Sequence, residues 1–421
     1  MTNAFALIDC NNFYASTERV FNPKLHKKPV VVLSNNDGCI IARSDEAKKI
    51  GVTMGAPLFK VQNLLEENSA EIFSSNYELY GDMSARVMEN LREFTPEVEI
   101  YSIDEAFLGF DTKCDNLGEI SFSIREKIKQ WTGVPISIGI AETKTLAKLA
   151  NRIAKKSEKA DGILDLYRSP YLDAALDATD VSDVWGIGSA SSQKLKTVGI
   201  NTALALREMD LRQARKNLTV VGARTVLELR GISCLPLDLC PPPKRSITCS
   251  RSFGQTVENF VQIREAVAVF LTRVAEKLRK NNLAANAVTV FIGTDRFNPQ
   301  PEAYSNAATH SSIYPSDTNY ELQKWTFACL EKIYRKGFCY RKAGVILSGL
   351  VPVDKLTERM FDDKKWERFR LVMQAVDEVN RKFGRDTIRF AAANSGGAWR
   401  GKSEHRSRRY TTRFGEIASV V

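Results

Sequence analysis

Histidine is scarce in this 421-residue chain, with three copies at His26, His310 and His405. The eight cysteines lie scattered at positions 10, 39, 114, 234, 240, 249, 329 and 339, and no two form a CxxC pair. That spacing argues against a zinc site and predicts reduced, mostly buried thiols. No run approaches 18 apolar residues, so no transmembrane helix and no membrane partner are expected. The opening "MTNAFALIDCNNFY" lacks a basic leader and a small-residue cleavage site, and its apolar run is too short for a signal peptide. The expected location is the cytoplasm. The length exceeds that of a usual single domain and predicts two to four.

Positive charge is plentiful but unevenly placed. The net charge is +10. Residues 1–240 carry 29 Lys and Arg against 32 Asp and Glu, residues 241–350 carry 15 against 8, and residues 351–421 carry 16 against 10. The excess therefore sits in the second half, which points to a polyanion gripped there, beside the plainer reading of a basic soluble surface. The charge break coincides with "CLPLDLCPPPKR" (234–245), which has four prolines and no periodicity and reads as an extended linker.

Before the linker, strand-like and helical segments alternate. "FALID" (5–9) and "PVVVLS" (29–34) read as strands, and "SDEAKKIG" (44–51) as a helix capped by Ser44 and stopped by Gly51. "YELYGDMSARVMENLREF" reads as a long amphipathic helix and "VEIYSIDEAFLGF" (98–110) as a β-hairpin. A helix at 121–131, a strand at 135–141 and a helix at 145–156 follow. This order predicts an α+β protein with a ferredoxin-like βαββαβ core. "VWGIGSASSQKLKTVGI" (184–200) and a weaker echo, "LTVVGARTVLELRG" (218–231), read as small helical motifs. Beyond the linker lies a second α+β module, then a charged tail with a helix around 364–383 and a basic end, "WRGKSEHRSRRYTTRF".

The hairpin holds Asp104 and Glu105 between apolar flanks. Buried carboxylates are costly without a partner, and two close acids repel. A cation answers both problems, and hard oxygen donors favour Mg²⁺ or Mn²⁺. Neighbouring strand residues face opposite ways, so the two acids can serve one site only where the strand turns. Asp9 ends the first strand, which the ferredoxin-like core sets beside the hairpin. Three carboxylates around two Mg²⁺ ions suit in-line phosphoryl transfer. A lone "DE" would read as a solvated turn; the apolar flanks and Asp9 shift that reading.

"IDCNNFYAS", "KPVVVLSNNDGCIIAR", "YSIDEAF", "IGIAETKTLAKLAN" and "VWGIGSASSQKL" occur in order from about residue 5 to 235. Together they resemble the Y-family translesion DNA polymerases, and "SNNDGC" and "SSNYELY" are similar to the UmuC branch. The resemblance implies a palm at 1–10 and 75–166, fingers at 11–74, a helix-hairpin-helix thumb at 167–235, a linker at 236–244, a little finger at 245–350 and a tail at 351–421. It implies an error-prone, template-directed enzyme of the SOS response to DNA damage, in the bacterial cytoplasm and on the nucleoid when active. Its partners would be primer–template DNA, dNTPs, a processed UmuD-type dimer, a RecA filament and a sliding clamp.

Carried over by resemblance, Asp9 and Asp104 would hold metal, Glu105 would complete the catalytic site, and the Cys10 backbone carbonyl would be a further ligand. Tyr14, next to Phe13, would be the steric gate that blocks a ribose 2′-hydroxyl; without the family it reads as a core aromatic. Lys144, Lys148 and Lys155 fall within about 40° on one helix face. Lys155 matches the family's triphosphate lysine, and Lys148 is a candidate DNA contact, although a solvated face would explain at least one of the three. Arg43 and Lys48 are candidate phosphate contacts; Ala42 and Asp45 depart from the family pattern and are not assigned. Gly186 and Gly188 would admit a DNA phosphate to a helix N-terminus, unless the motif is only a packing hairpin. Arg245, Arg251 and Lys244 would follow the DNA backbone. "TERMFDD" (357–363) keeps Met360 and Phe361 of a clamp-binding motif but lacks its leading Gln, and reads equally as a helix N-terminus. A catalytically silent DNA-binding subunit and a nucleotide cyclase are the alternatives; the three acids argue against the first, and the helix-hairpin-helix with the basic second half against the other.

Overall fold

The computed structural model describes residues 4–111, 116–240, 242–295, 303–356, 363–393, 397 and 399–418. The chain forms two compact units. The first comprises Met1–Ser34, Cys39–Pro241 and His405–Val421, and the second Asn35–Gly38 and Pro242–Glu404.

The first unit opens with β1 (Ala4–Cys10) and α1 (Phe13–Phe21). A small sheet follows: β2 (Val30–Leu33), β3 (Ile40–Arg43) and, after the short helices α2 (Asp45–Lys49) and α3 (Leu58–Glu67), β4 (Glu71–Ser74), in the order β3-β2-β4. Ser44 caps α2 by accepting from the Ala47 N–H, and Gly51 follows the helix with φ +90°. The chain then runs through α4 (Tyr77–Leu91), β5 (Val98–Ile100), β6 (Glu105–Phe110), α5 (Leu117–Thr132), β7 (Ile136–Ala141), α6 (Lys144–Lys156) and β8 (Ile163–Asp165).

The central sheet has the order β5-β6-β1-β7-β8. Each neighbouring pair among its first four strands is antiparallel, and β8 adds parallel to β7. This is the ferredoxin-like order expected from the sequence, with one extra strand. Alternation along β1 sorts its side chains between two cores. Ala4, Ala6, Ile8 and Cys10 join α4 and α5, whereas Phe5 and Leu7 pack with Leu146, Ala147 and Ala150 of α6. Helix α6 comes close because residue 139 is glycine: a Cβ there would lie 2.4 Å from the Ala147 carbonyl oxygen. The helices α7 (Leu172–Asp177), α8 (Ser189–Thr197), α9 (Ala203–Glu208) and α10 (Leu211–Leu229) close the second core, with α10 broken at Thr219, φ +68°.

The proposed linker is less free than its prolines suggest. Cys234 and Leu235 donate N–H groups to Glu228 at 2.6 and 3.1 Å, Asp238 donates to Glu99 at 2.7 Å, and Leu237 packs into the second core. The unit boundary falls inside this segment, between residues 241 and 242.

In the second unit, β9 (Ser246–Val257), α11 (Phe260–Lys280), β10 (Leu283–Thr294), β11 (Ser305–Ser316), α12 (Asn319–Ile333) and β12 (Tyr340–Pro352) form an antiparallel sheet in the order β11-β10-β12-β9 with both helices packed on it. Helix α13 (Asp363–Phe383) is tied to α11 by Arg279–Asp377 at 2.6 Å. The stretch expected as one tail, 351–421, is divided: residues up to 404 belong to this unit and 405–421 to the first.

Candidate active site

Asp9 and Glu105 are direct partners across the β1–β6 ladder. Asp9 continues the Phe5–Leu7 series that faces α6, and Glu105 shares its face with Phe107, which packs there too. Both acids therefore turn toward the lysines of that helix. Lys155 Nζ lies 2.5 Å from Asp9 Oδ2. Lys148 Nζ donates to both oxygens of Glu105, at 3.2 and 3.0 Å. The rings of Tyr101 and Trp185 cover that ammonium, with centroids at 4.4 and 5.1 Å.

Asp104 sits in the hairpin turn before β6. Its backbone carbonyl accepts the Cys10 N–H at 2.8 Å, and its carboxylate accepts the Ser102 hydroxyl at 2.5 Å. The turn gives the adjacent acids different outlooks. Asp104 lines a cavity of about 450 Å³ together with Asp9, Cys10, Phe13, Tyr14, Lys155, Arg43 and Lys48. Glu105 is not in that lining and meets Lys148 instead. Lys148, expected as a DNA contact, is thus engaged inside the protein.

Burial pushes the Asp9 carboxyl up to about 7; Lys155 opposes the shift, while Glu105 and Asp104 add to it. Burial also raises the Cys10 thiol well above its ordinary range, which leaves its backbone carbonyl as the useful donor. The acid cluster is therefore short of positive charge. Among the described residues no three His, Cys, Asp or Glu side chains form a finished metal cage. The donor set is all oxygen and under-neutralised, which fits a hard divalent cation once the lysines give way.

The third lysine of the expected stripe does something else. Lys144 is 4% exposed. Its ammonium pairs with Glu99 of β5 and donates to the Pro236 carbonyl at 2.8 Å. It is unavailable to a phosphate or to DNA.

Tyr14 stacks on Tyr80 of α4 with centroids 4.4 Å apart and planes at 16°, and meets Tyr77 edge-on at 6.1 Å. Arg43 donates to the Val52 carbonyl, and Lys48 pairs with Asp45 at 2.8 Å. Gly186 adopts φ +89°, which favours glycine, and Gly188 is the N-cap of α8; a Cβ on Gly188 would meet nothing within 4 Å. In the second unit Lys244 donates to Asn281 at 3.0 Å, and Arg245 and Arg251 are exposed. By alternation Arg251 shares its sheet face with Ile247 and Phe253, which belong to the core. The opposite side of β9 presents Ser246, Thr248, Ser250 and Ser252, aligned with Ser348, Ile346, Gly344 and Lys342 of β12. Met360 and Phe361 lie outside the described residues. Sequence reasoning missed Glu99, Tyr80, Tyr101 and Trp185. An acid in the three-residue strand "VEI" and the paired tyrosines of "YELY" were the available signals.

Residues 8–152 match the impB/mucB/samB family, residues 244–360 its C-terminal domain, and residues 370–420 a domain of unknown function (DUF4113). The fold is that of the Y-family DNA polymerases: a Y-family DNA polymerase chimera of Dbh and Dpo4 aligns with a TM-score of 0.65 at 21% identity, covering 83% of this chain and 99% of that one. Protein UmuC of Salmonella typhimurium is 42% identical over 99% of this chain and 100% of its own length, and Protein ImpB of the same organism is 40% identical over 98% of each. The chain belongs to the UmuC family of Y-family DNA polymerases.

Proposed function

We propose that this chain is the catalytic subunit of an error-prone translesion DNA polymerase, joining dNTPs to a primer 3′-hydroxyl in the SOS response. One observation carries the reading: a single cavity brings Asp9 and Asp104 together with Tyr14 and Lys155. Asp9, Asp104, Glu105 and the Cys10 carbonyl are the groups that would hold two Mg²⁺, or Mn²⁺ in substitution. Bound there, the metals would supply Lewis-acid charge to the 3′-hydroxyl and the leaving pyrophosphate. Lys155 is placed to exchange Asp9 for the triphosphate. Arg43 and Lys48, in the same lining, add positive charge along that wall. Lys148 holds Glu105 in place, and Tyr14 presents a ring where a 2′-hydroxyl would go.

DNA contacts on this reading are independent of sequence. The Gly186–Gly188 turn offers backbone N–H groups at the start of α8. The hydroxyl-rich sheet face of the second unit, with Lys342, and the exposed Arg245 suit a phosphate backbone. A processed UmuD-type dimer, a RecA filament and the sliding clamp remain proposed partners, the last through Met360 and Phe361. No described helix is long and apolar enough to cross a membrane.

The test is primer extension with Mg²⁺ and dNTPs, with UmuD- and RecA-type partners supplied. Wild type should extend the primer, and Asp104→Ala/Glu105→Ala should bind the same DNA without extending it. No synthesis by wild type under these conditions would refute the reading.

A further inference from the structure

The end of the chain reaches the nucleotide pocket from behind. Tyr14 and Glu18 stand one turn apart on α1, and both meet Tyr80: Tyr14 through its ring, and Glu18 by accepting the Tyr80 hydroxyl at 2.6 Å. The same Glu18 oxygen accepts the Ser407 hydroxyl at 2.9 Å. Glu18 is 2% exposed and Tyr80 fully buried, so neither group has water as an alternative partner.

Residues 405–410 also grip the helix that carries Tyr80. Asn76 caps α4 with its side-chain oxygen and uses its amide to donate to the Ser407 carbonyl, the Ser407 hydroxyl and the Arg408 carbonyl, at 3.2, 3.0 and 3.1 Å. Ser74, at the end of β4, donates its N–H to the His405 carbonyl at 3.0 Å and accepts the His405 N–H at 2.9 Å. Arg409 pairs with Glu78 in the first turn of α4 at 3.2 Å. Tyr410 stacks on Phe21 at the end of α1, with centroids 4.8 Å apart and planes at 8°. The segment therefore joins α1 to α4 across the ring stack on which Tyr14 rests.

We propose that residues 405–410 are a positioning strap for the nucleotide pocket, acting through Glu18 and Tyr80 to fix the Tyr14 ring and so set discrimination between deoxyribonucleotides and ribonucleotides. This rests on the reading of Tyr14 as the steric gate. The strap assigns a task to part of a region whose family model is a domain of unknown function. Removing the Ser407 hydroxyl leaves a buried Glu18 carboxyl oxygen one donor short and takes one of three acceptors from the Asn76 amide, which loosens both supports of Tyr80 while leaving the acid cluster intact.

The test is single-nucleotide insertion by the full-length chain, with the partners used for primer extension, comparing kcat/KM for a dNTP and the matching rNTP. Ser407→Ala and Tyr80→Phe should each lower the dNTP/rNTP ratio about threefold to tenfold, chiefly through faster rNTP use, with dNTP kcat near wild type. Ser407→Thr, which keeps the hydroxyl, should restore the ratio. Tyr14→Ala should lower it further. A fall in Tyr14→Ala with wild-type ratios in both Ser407→Ala and Tyr80→Phe overturns the strap and leaves the gate standing. An unchanged ratio in Tyr14→Ala overturns the gate, and the strap with it.

Discussion

The lysine–carboxylate pairs at the two ends of helix α6 differ in how completely they are satisfied. At its start, Lys144 and Glu99 are buried, and each has a further partner: the Pro236 carbonyl for the ammonium and the Asp238 N–H for the carboxylate. At its end, Lys155 is a third exposed, and Asp9 has burial and two neighbouring acids working against its charge. Between them, Lys148 holds Glu105 under two aromatic rings. The first pair is a latch that joins helix, sheet edge and linker. The last is under-compensated and is suited to exchange its lysine for a cation while the lysine takes a phosphate.

That contrast can be broken most sharply by separating activity from stability. Asp9→Asn should lower nucleotide addition by about 10,000-fold in primer extension. Its melting temperature should stay near or above that of wild type, because a carboxylate whose burial opposes its charge is gone and Lys155 can reach water. Lys144→Met should do the reverse. It strands Glu99 and should cost roughly 3–5 kcal/mol of unfolding free energy in urea titrations, with Glu99→Gln recovering part.

A smaller effect sharpens the comparison with a third buried acid. Burial raises Glu18 from an ordinary 4.5 to about 7, against the hydrogen bonds from Tyr80 and Ser407. The fold favours its protonated form. Its contribution is therefore complete below 4.5 and lost as pH rises through about 7. Denaturation curves of Glu18→Gln should lose that pH dependence, and the difference from wild type across the window should be roughly 3 kcal/mol. The smallest effect belongs to the second unit, whose serine-rich sheet face carries no buried charge among the described residues. Lys342→Ala should reduce the salt slope of DNA binding by about one and leave the rate on bound primer unchanged.

The sequence made the catalytic half of this picture readable, because strand alternation and strand-end acids are local signals. The hairpin, the Ser44 cap and the meeting of Asp9 with Glu105 all follow from short motifs. The lysine spacing on α6 correctly described one helix face but not what lies opposite. That face is covered by β1, β6 and β5, so Lys144 meets Glu99 across 45 residues and is buried rather than solvated. The strap was illegible for the same reason. Its sequence showed only a basic end, and nothing local announces that Asn76 and Ser407, 331 residues apart, hold it in place.

The most direct test of the exchange at Asp9 is Mn²⁺ binding, followed by electron paramagnetic resonance with a non-hydrolysable dNTP analogue and primer–template present. Wild type should bind Mn²⁺, and Asp9→Asn should bind it at least about tenfold more weakly while still binding DNA. Equal Mn²⁺ affinity in the two proteins would contradict the account.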